Sequence, residues 1–209
     1  MTVPTSEEVR RALGAAPEEF RAFVALAAFA GLRLGEAAGV QVGDVNFLRR
    51  TLDVRRQVQG ATKKTVKITP PKYNSFRLVP IPTDLAELLA AHVETIGTQG
   101  DEAWLFFRGS DRLNRNSAGE YWRGIREATA LPDEYTLHDL RHFYASALIA
   151  SGCDVVTVQR ALGHKTPSIT LNTYAHLWPT AEDRTRSAAT DLMREVLGDS
   201  ADLVRTERQ

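Results

Sequence analysis

Three side chains that carry positive charge or transfer protons fall within five residues of one predicted helix. His138, Arg141 and His142 occupy positions i, i+3 and i+4 in the segment TLHDLRHFYAS, so a helix places them on one face. Like charges at this spacing repel each other. The cluster therefore predicts an anionic ligand or a metal ion in front of that face.

Three more polar clusters are present, and two of them follow predicted helix ends. Arg33 and Glu36 lie in GLRLGE, His164 follows a glycine in LGHKT, and Tyr174 stands in LNTYAHL. Taken singly, an arginine at a helix end is consistent with capping of carbonyl groups, and a lone histidine is more often structural. Only the four clusters taken together indicate a site.

Helices predominate among the elements that must position these groups. Capping boxes are predicted at Thr5 with Glu8 and at Ser117 with Glu120, and Pro17 opens the apolar segment EEFRAFVALAAFA, which Gly31 closes. Further helical patterns are DLAELLAAHVETIG, LHDLRHFYASALIASG, DVVTVQRALG and PSITLNTYAHL.

One region has the pattern of a sheet. The β-prone runs VNFLRRTLDVRRQVQ, TVKITP and FRLVPIP follow one another from Val45, and they predict three antiparallel strands. The expected fold class is α+β, mainly α-helical with a small antiparallel three-stranded β-sheet.

The charge of the chain is zero overall but unevenly distributed. The chain has 26 Lys and Arg against 26 Asp and Glu. The segment from Arg49 to Arg77 contains nine Lys or Arg and a single acid, Asp53. This local excess favours a polyanionic partner over an ordinary solvated surface.

Composition excludes several classes of protein. The single cysteine, Cys153, allows no internal disulfide and no CxxC metal site, and it is expected to be a small buried residue. No run of about 18 apolar residues is present, and the first residues lack the pattern of a signal peptide. We expect a soluble, cytoplasmic protein without a membrane partner.

The motifs GLRLGE, HDLRHFYAS and LGHKTPSITLNTYAHL, in this order and spacing, resemble the catalytic domain of the tyrosine recombinases of the phage integrase type. The resemblance runs from roughly Thr5 to Trp178, and the ordered set is far more specific than any one motif. It implies a bacterial site-specific recombinase that cleaves and rejoins chromosomal or phage DNA through a 3′-phosphotyrosyl intermediate, for integration or excision. It also implies no metal, ATP or other cofactor.

The resemblance further implies a role for each motif residue. The catalytic residues would be Arg33, Lys72, His138, Arg141, His164 and Tyr174, supported by Glu36 and His142. Tyr174 would be the nucleophile, and Lys72, on the hairpin PPKYNSFRLVPIP, would be the general acid. Other basic residues would contact DNA phosphates, namely Arg55, Arg56, Lys63, Lys64, Lys67 and Arg77.

These roles agree with the chemistry of phosphodiester cleavage. Guanidinium groups bind the non-bridging phosphate oxygens in a bidentate manner and stabilise the growing negative charge. A tyrosine is mostly protonated at neutral pH, so it needs a base, which His138 could supply. The leaving 5′-hydroxyl needs a proton, which a lysine can donate.

Each assignment has an alternative. HDLRH has the histidine spacing of a zinc hydrolase helix, but Asp139 replaces the glutamate base and no third ligand is evident. A passive DNA-binding module would not need a tyrosine among its arginines. A type IB topoisomerase shares the chemistry, but the short chain and the LGH-to-Tyr174 spacing favour an integrase. Tyr144 and Tyr73 are the other nearby tyrosines, and His142 could be structural.

The resemblance also predicts the domain organisation and the partners. Residues 1–180 would form the catalytic domain and residues 181–209 a C-terminal helical tail, with the family's N-terminal core-binding domain absent. Partners would be double-stranded DNA attachment sites, together with an accessory directionality factor or host bending protein. We expect a homotetramer on DNA, with a monomer in solution as an alternative state. In the family such a tail docks on a neighbouring protomer, and packing on its own domain is the alternative.

Overall fold

The computed structural model describes residues 3–197, apart from the side chain at position 181. The helices are α1 (Ser6–Ala15), α2 (Glu18–Ala30), α3 (Leu34–Ala38), α4 (Thr83–Thr95), α5 (Arg115–Thr129), α6 (Leu137–Ala150), α7 (Val155–Leu162), α8 (Pro167–Tyr174) and α9 (Ala181–Leu197). The strands are β1 (Val45–Asn46), β2 (Thr51–Val54), β3 (Gln57–Gln59), β4 (Lys67–Thr69), β5 (Arg77–Pro80), β6 (Phe107–Arg108) and β7 (Asp111–Arg112). The predicted fold class, mainly α-helical with small antiparallel sheets, is confirmed.

The described residues divide into two compact units, with the boundary between Thr173 and Tyr174. In the first unit, α2 is the central helix and packs against α1, α3, α4 and α6. It is apolar on nearly every face, so Phe20, Phe23 and Leu26 are almost completely buried. The helix ends at Gly31, whose φ of 62° is the left-handed conformation of a helix C-cap, as its sequence predicts.

The strands are arranged differently from the prediction. The three-stranded antiparallel sheet has the order β1-β2-β5, whereas β3 and β4 pair separately and β6 pairs with β7. The run that begins at Val45 therefore contributes to two sheets, and TVKITP does not join the predicted sheet. Alternation along a strand determines its buried face, but it does not determine which strand is its neighbour.

The start of α5 was also predicted incorrectly. Asn114, not Ser117, is the N-cap, and its side chain accepts hydrogen bonds from the backbone N–H groups of Asn116 and Ser117. The capping box of α1 at Thr5 and Glu8 is confirmed. Pro17 precedes α2 as its N-cap residue.

The second unit contains α9, which ends at Leu197 and lies within the segment 181–209 for which the sequence predicts a helical tail. The rest of that predicted tail, and the first two residues of the predicted catalytic domain, lie outside the described residues. The apolar side chains of α9 are exposed, including Leu192, Met193 and Val196. No helix within residues 3–197 is long and apolar enough to cross a membrane.

Candidate active site

Arg141 is the most deeply placed of the predicted site residues. It lies on α6, whose N-terminus is capped by Thr136, and only 2% of the residue is exposed. Its guanidinium group donates hydrogen bonds to the carbonyl of Gly31 and, at 2.5 Å, to the carbonyl of Leu162. These carbonyls lie at the C-terminal ends of α2 and α7, where the helix dipoles favour a positive charge.

Arg33 lies close to the same carbonyls. It is the N-cap residue of α3, and its Nη2 donates to the carbonyl of Gly163 at 3.2 Å. Because Leu162 and Gly163 are consecutive, with Cα atoms about 3.8 Å apart, the two guanidinium groups converge on one end of α7. About a fifth of the Arg33 side chain (20%) remains exposed. The structure thus brings the two predicted phosphate-binding arginines together.

Glu36 is the carboxylate that holds Arg33. Its Oε1 accepts from Arg33 Nη1 at 2.6 Å, and its Oε2 accepts from the Arg33 backbone N–H at 3.0 Å. The Glu36 side chain is fully buried. The spacing of three residues in GLRLGE therefore makes both contacts within a single helical turn.

Glu36 also binds Arg77, which the sequence predicted to be a DNA contact. Arg77 Nη2 lies 2.8 Å from Glu36 Oε2, Arg77 Nε donates to the carbonyl of Ala161 at 3.0 Å, and only 7% of the side chain is exposed. These contacts occupy the guanidinium group within the protein. Ser75 was not foreseen: its hydroxyl lies 3.5 Å from Arg33 Nη1, and no feature of the sequence indicates this contact.

The four charged side chains leave an excess of positive charge. Burial alone would raise the pKa of Glu36, but the hydrogen bond and charge of Arg77, with the charges of Arg33 and Arg141, lower it to about 2. Glu36 is therefore ionised at neutral pH. Three guanidinium groups face one carboxylate, and the surplus of two positive charges is suited to an anion.

The histidines of the site are neutral at neutral pH. Partial desolvation of the His138 ring, followed by the charges of His142 and Arg141, lowers its pKa to about 4. Desolvation and then the charges of Arg141, Arg33 and Arg77 lower the pKa of His164 to about 4 as well. A neutral imidazole retains a lone pair that can accept a proton or a hydrogen bond.

The surroundings fix the orientation of these rings. His138 and His142 are in edge-to-face contact, with ring centroids 4.8 Å apart. The Nδ1 atom of His164 is 2.9 Å from the hydroxyl of Thr170, which is fully buried on α8. The contact at Nδ1 leaves Nε2 as the ring nitrogen of His164 that could face a ligand.

Lys72 lies in the exposed turn between β4 and β5. Its ammonium group is 5.1 Å from the centroid of the Tyr73 ring, and Tyr73 and Asn74 both have positive φ angles. Lys72 is not part of the hydrogen-bonded cluster. It precedes Ser75 and Arg77 by three and five residues, however, and both of these contact the cluster.

Tyr174 is the last residue of α8 and the first residue of the second unit. It is 1% exposed. It follows Thr170, the partner of His164, by four residues, which is about one turn of helix. The role of nucleophile remains a prediction from the motif.

The remaining residues predicted to contact DNA differ in their surroundings. Arg56 is 19% exposed at its side chain and pairs with the buried Asp44, so its charge is compensated within the protein. Arg55 and Lys63 form exposed ion pairs with Asp53 and Asp111, at 2.7 and 2.6 Å. Lys64 and Lys67 are exposed in the β3–β4 hairpin. The exposed lysines of this hairpin are thus better placed for a phosphate than Arg56 or Arg77.

The alternative of a zinc hydrolase site requires a cluster of metal-ligating side chains. Within residues 3–197, no group of three or more His, Cys, Asp or Glu side chains is arranged to hold a metal ion. His138 and His142 contact each other through their rings, as described above.

The sequence profile of the phage integrase family matches residues 3–180. The chain belongs to the phage integrase family. This integrase-family chain is 27% identical over 199 residues to the ICEBs1 integrase of Bacillus subtilis strain 168, covering 90% of this chain and 54% of that protein. It is 30% identical over 169 residues to the tyrosine recombinase XerA of Thermococcus kodakarensis, covering 79% and 55%. The resemblance seen in the motifs is thereby confirmed.

Solved structures show the same fold. The Tn1549 transposon integrase, in complex with circular intermediate DNA, superposes on this integrase-family chain with a TM-score of 0.77 at 20% identity, covering 91% of this chain and 67% of that one. The chain spans about half the length of the two curated relatives, 54% and 55%.

Proposed function

We propose that the chain is the catalytic part of a site-specific DNA recombinase that cleaves and rejoins DNA through a 3′-phosphotyrosyl intermediate. The observation that carries this proposal is the convergence of Arg33 and Arg141 on consecutive carbonyls at the end of α7. Together with Arg77 and Glu36 they leave surplus positive charge, which a phosphodiester would neutralise. Guanidinium groups placed in this way stabilise the transition state, in which negative charge develops on the phosphate oxygens.

The proposed reaction is a transesterification. The hydroxyl oxygen of Tyr174 attacks phosphorus, so that the tyrosyl–phosphorus bond forms and the bond to the 5′-oxygen breaks. His138, which is neutral at neutral pH, takes the tyrosine proton, and Lys72 gives a proton to the leaving 5′-oxygen. Rejoining is the reverse attack by a 5′-hydroxyl. The phosphate ester bond is conserved, so neither a metal nor ATP is needed.

The placement of each group supports these roles. His164 stands next to Gly163, the partner of Arg33, and its Nε2 could donate a hydrogen bond to a phosphate oxygen. Lys72 lies on an exposed turn just before Ser75 and Arg77, which contact the cluster, so the turn can bring its ammonium group to the substrate.

A covalent trap tests this function. The chain is incubated, in the presence of a chelator, with nicked duplexes that tile the region flanking its own gene, and denatured samples are examined for a protein–DNA adduct. The nick releases a short strand after cleavage, so the adduct accumulates. We expect an adduct from the unmodified chain and none from Tyr174→Phe, which lacks the nucleophilic oxygen.

Other results of the trap would contradict specific parts of the proposal. An adduct that persists in Tyr174→Phe would show that another residue is the nucleophile. Strand cleavage without an adduct, abolished by the chelator, would replace the proposal with a metal-dependent hydrolase. Tyr144→Phe is the matched control, because Tyr144 lies on α6 and packs beside Gly31 in the first unit.

We propose that the DNA partner is a double-stranded attachment site in a bacterial cell, on the chromosome or on phage DNA, reached from the cytoplasm. The exposed lysines Lys64 and Lys67 would contact its phosphates, which predicts binding that weakens with salt. An accessory directionality factor or a host bending protein would choose between integration and excision.

We further propose a homotetramer on DNA, with α9 packing on a second copy. The exposed Leu192, Met193 and Val196 are apolar side chains that favour such burial. Mass photometry should show four chains on two joined DNA sites, and Leu192→Glu should leave two separate dimers or monomers on DNA. Ser187→Glu, at an exposed polar position of the same helix, is the control. Tetramers that survive Leu192→Glu would place the contact elsewhere.

A further inference from the structure

Arg77 connects three segments of the candidate site. Its Nε donates to the carbonyl of Ala161 at 3.0 Å, next to the end of α7, and its Nη1 lies 3.4 Å from the carbonyl of Ser75. The same guanidinium group binds both oxygens of Glu36, at 3.2 and 2.8 Å. One side chain on β5 thus contacts the α3 segment, the turn that bears Lys72 and the α7 terminus.

The contact with Glu36 extends to Arg33. Each oxygen of the Glu36 carboxylate accepts one hydrogen bond from Arg77 and one from Arg33. A carboxylate held from both sides cannot rotate without losing several charge-assisted hydrogen bonds at once. The direction of the Arg33 side chain therefore depends on an acceptor that Arg77 orients.

The packing around Arg77 leaves little freedom. A Cβ atom added at Gly163, which has a φ of 63°, would lie 2.8 Å from Arg77 Nη1 and 2.9 Å from its Cδ. Gly163 carries the carbonyl that Arg33 binds, and it precedes His164. Arg77 thus packs directly against the backbone that supports two of the predicted catalytic residues.

All three guanidinium nitrogens of Arg77 donate to oxygens of the protein. Its side chain is 7% exposed, and each of the four hydrogen bonds above ends on a protein oxygen. Lys67 differs, since it lies exposed on the neighbouring hairpin. Loss of Arg77 should therefore affect the chemical step more than DNA affinity.

We propose that Arg77 is a positioning residue of the recombination site, which orients Arg33 through Glu36 and fixes the turn of Lys72 to the end of α7. This inference rests on the proposed function, because DNA cleavage is the reaction that the positioning serves.

Arg77→Lys is the informative variant, since it retains the charge but cannot reproduce the planar fork. With DNA at saturating concentration, we expect the rate of adduct formation to fall at least about tenfold, while the DNA dissociation constant changes less than about threefold. Lys67→Gln should show the opposite pattern, with weaker and less salt-dependent binding. Arg21→Lys is the matched control: Arg21 also donates to two backbone carbonyls, but it lies near the other end of α2 from Arg33.

A double-mutant cycle separates positioning from a general loss of stability. If Arg77 acts through Glu36, Arg77→Lys should have little further effect on the cleavage rate in a Glu36→Gln background, so the two effects would not multiply.

The cleavage rate of Arg77→Lys should also begin to fall at a higher pH than that of the unmodified chain. The physical reason is that Arg77 helps to keep the buried Glu36 ionised. A merely destabilised protein would show neither effect at temperatures well below its Tm.

A readout without DNA distinguishes this inference from the proposed function. The side-chain Nε–Hε resonance of Arg33 reports its orientation by NMR, and we expect it to shift and broaden in Arg77→Lys but not in Arg21→Lys. If the unmodified chain formed no adduct, the recombinase proposal would fail while this comparison still decided the role of Arg77. An unchanged Arg33 resonance together with multiplicative rate effects would overturn the inference.

Discussion

Arg141→Lys is expected to lower the single-turnover rate of adduct formation by on the order of 10²–10³-fold, the usual effect of removing one donor that stabilises a transition-state anion. Arg141 is 2% exposed and spans from the end of α2 to the end of α7. The ammonium group of lysine is a point charge on a shorter side chain. It cannot bind both carbonyls and also present a planar edge to a phosphate.

The same change should also destabilise the fold. A carbonyl at the end of α2 or α7 that loses its donor while buried costs about 1–3 kcal/mol. The rate should therefore be measured well below the Tm of the variant, with Arg21→Lys as the control for loss of an arginine fork at carbonyls outside the site. If Arg141→Lys cleaved saturating DNA at the rate of the unmodified chain, Arg141 would have only a structural role.

Glu36→Gln is expected to lower the free energy of unfolding at neutral pH by about 3–5 kcal/mol, the usual effect of removing one partner from a buried ion pair. In the unmodified chain, Arg33 and Arg77 both donate hydrogen bonds to the carboxylate oxygens of Glu36. The glutamine amide would place an NH₂ group, which is itself a donor, where one of these acceptor oxygens lies. The positive charges would then repel each other without a compensating anion. Cleavage should fall as well, because Arg33 would lose the acceptor that directs it.

The pH dependence of stability gives this prediction a specific signature. The pKa of Glu36 is about 2 in the folded chain, below the ordinary value of 4.5, so the folded state binds its proton less readily than the unfolded state does. The resulting stabilisation is complete above about pH 5 and is lost as the pH falls through about 2, a loss of about 3 kcal/mol. Glu36→Gln should lack this part of the acid-induced loss.

Urea unfolding at pH values from 7 down to 2.5 measures the effect as the difference between the two stability curves. Glu120→Gln is the matched control, since Glu120 pairs with Arg108 at the surface, where both side chains are more than half exposed. Such a pair contributes little to stability. Parallel curves for the unmodified chain and Glu36→Gln would show that Glu36 is not held as a buried anion.

Local sequence signals predicted the helical framework well. Thr5 with Glu8 caps α1, Gly31 ends α2 in a left-handed conformation, and α6 begins at Leu137 as the pattern LHDLRHFYASALIASG predicted. These features depend on residues within one helical turn, so their spacing in the chain is sufficient information. The α5 start was missed because Asn114 was an equally good local cap, and only the structure shows which of the two is used.

Non-local pairing could not be read from the chain. The strand runs were recognised, but TVKITP pairs with β3 in a sheet of its own and not with the three-stranded sheet. Arg77 and Arg56 belong to the basic segment, which predicted contacts with a polyanion. The structure instead pairs them with the buried acids Glu36 and Asp44.

The sequence by itself determined the family, because the order and spacing of its motifs are far more specific than any one motif, and it predicted the residues of the site. The tertiary structure alone decided which cations remain available to a ligand. Partners of a cation can come from segments distant in the chain: Arg77 and the carboxylate of Glu36 are 41 residues apart, and Arg33 and the carbonyl of Gly163 are 130 residues apart. Charge compensation depends on distance and burial in space, and neither quantity is encoded in local spacing.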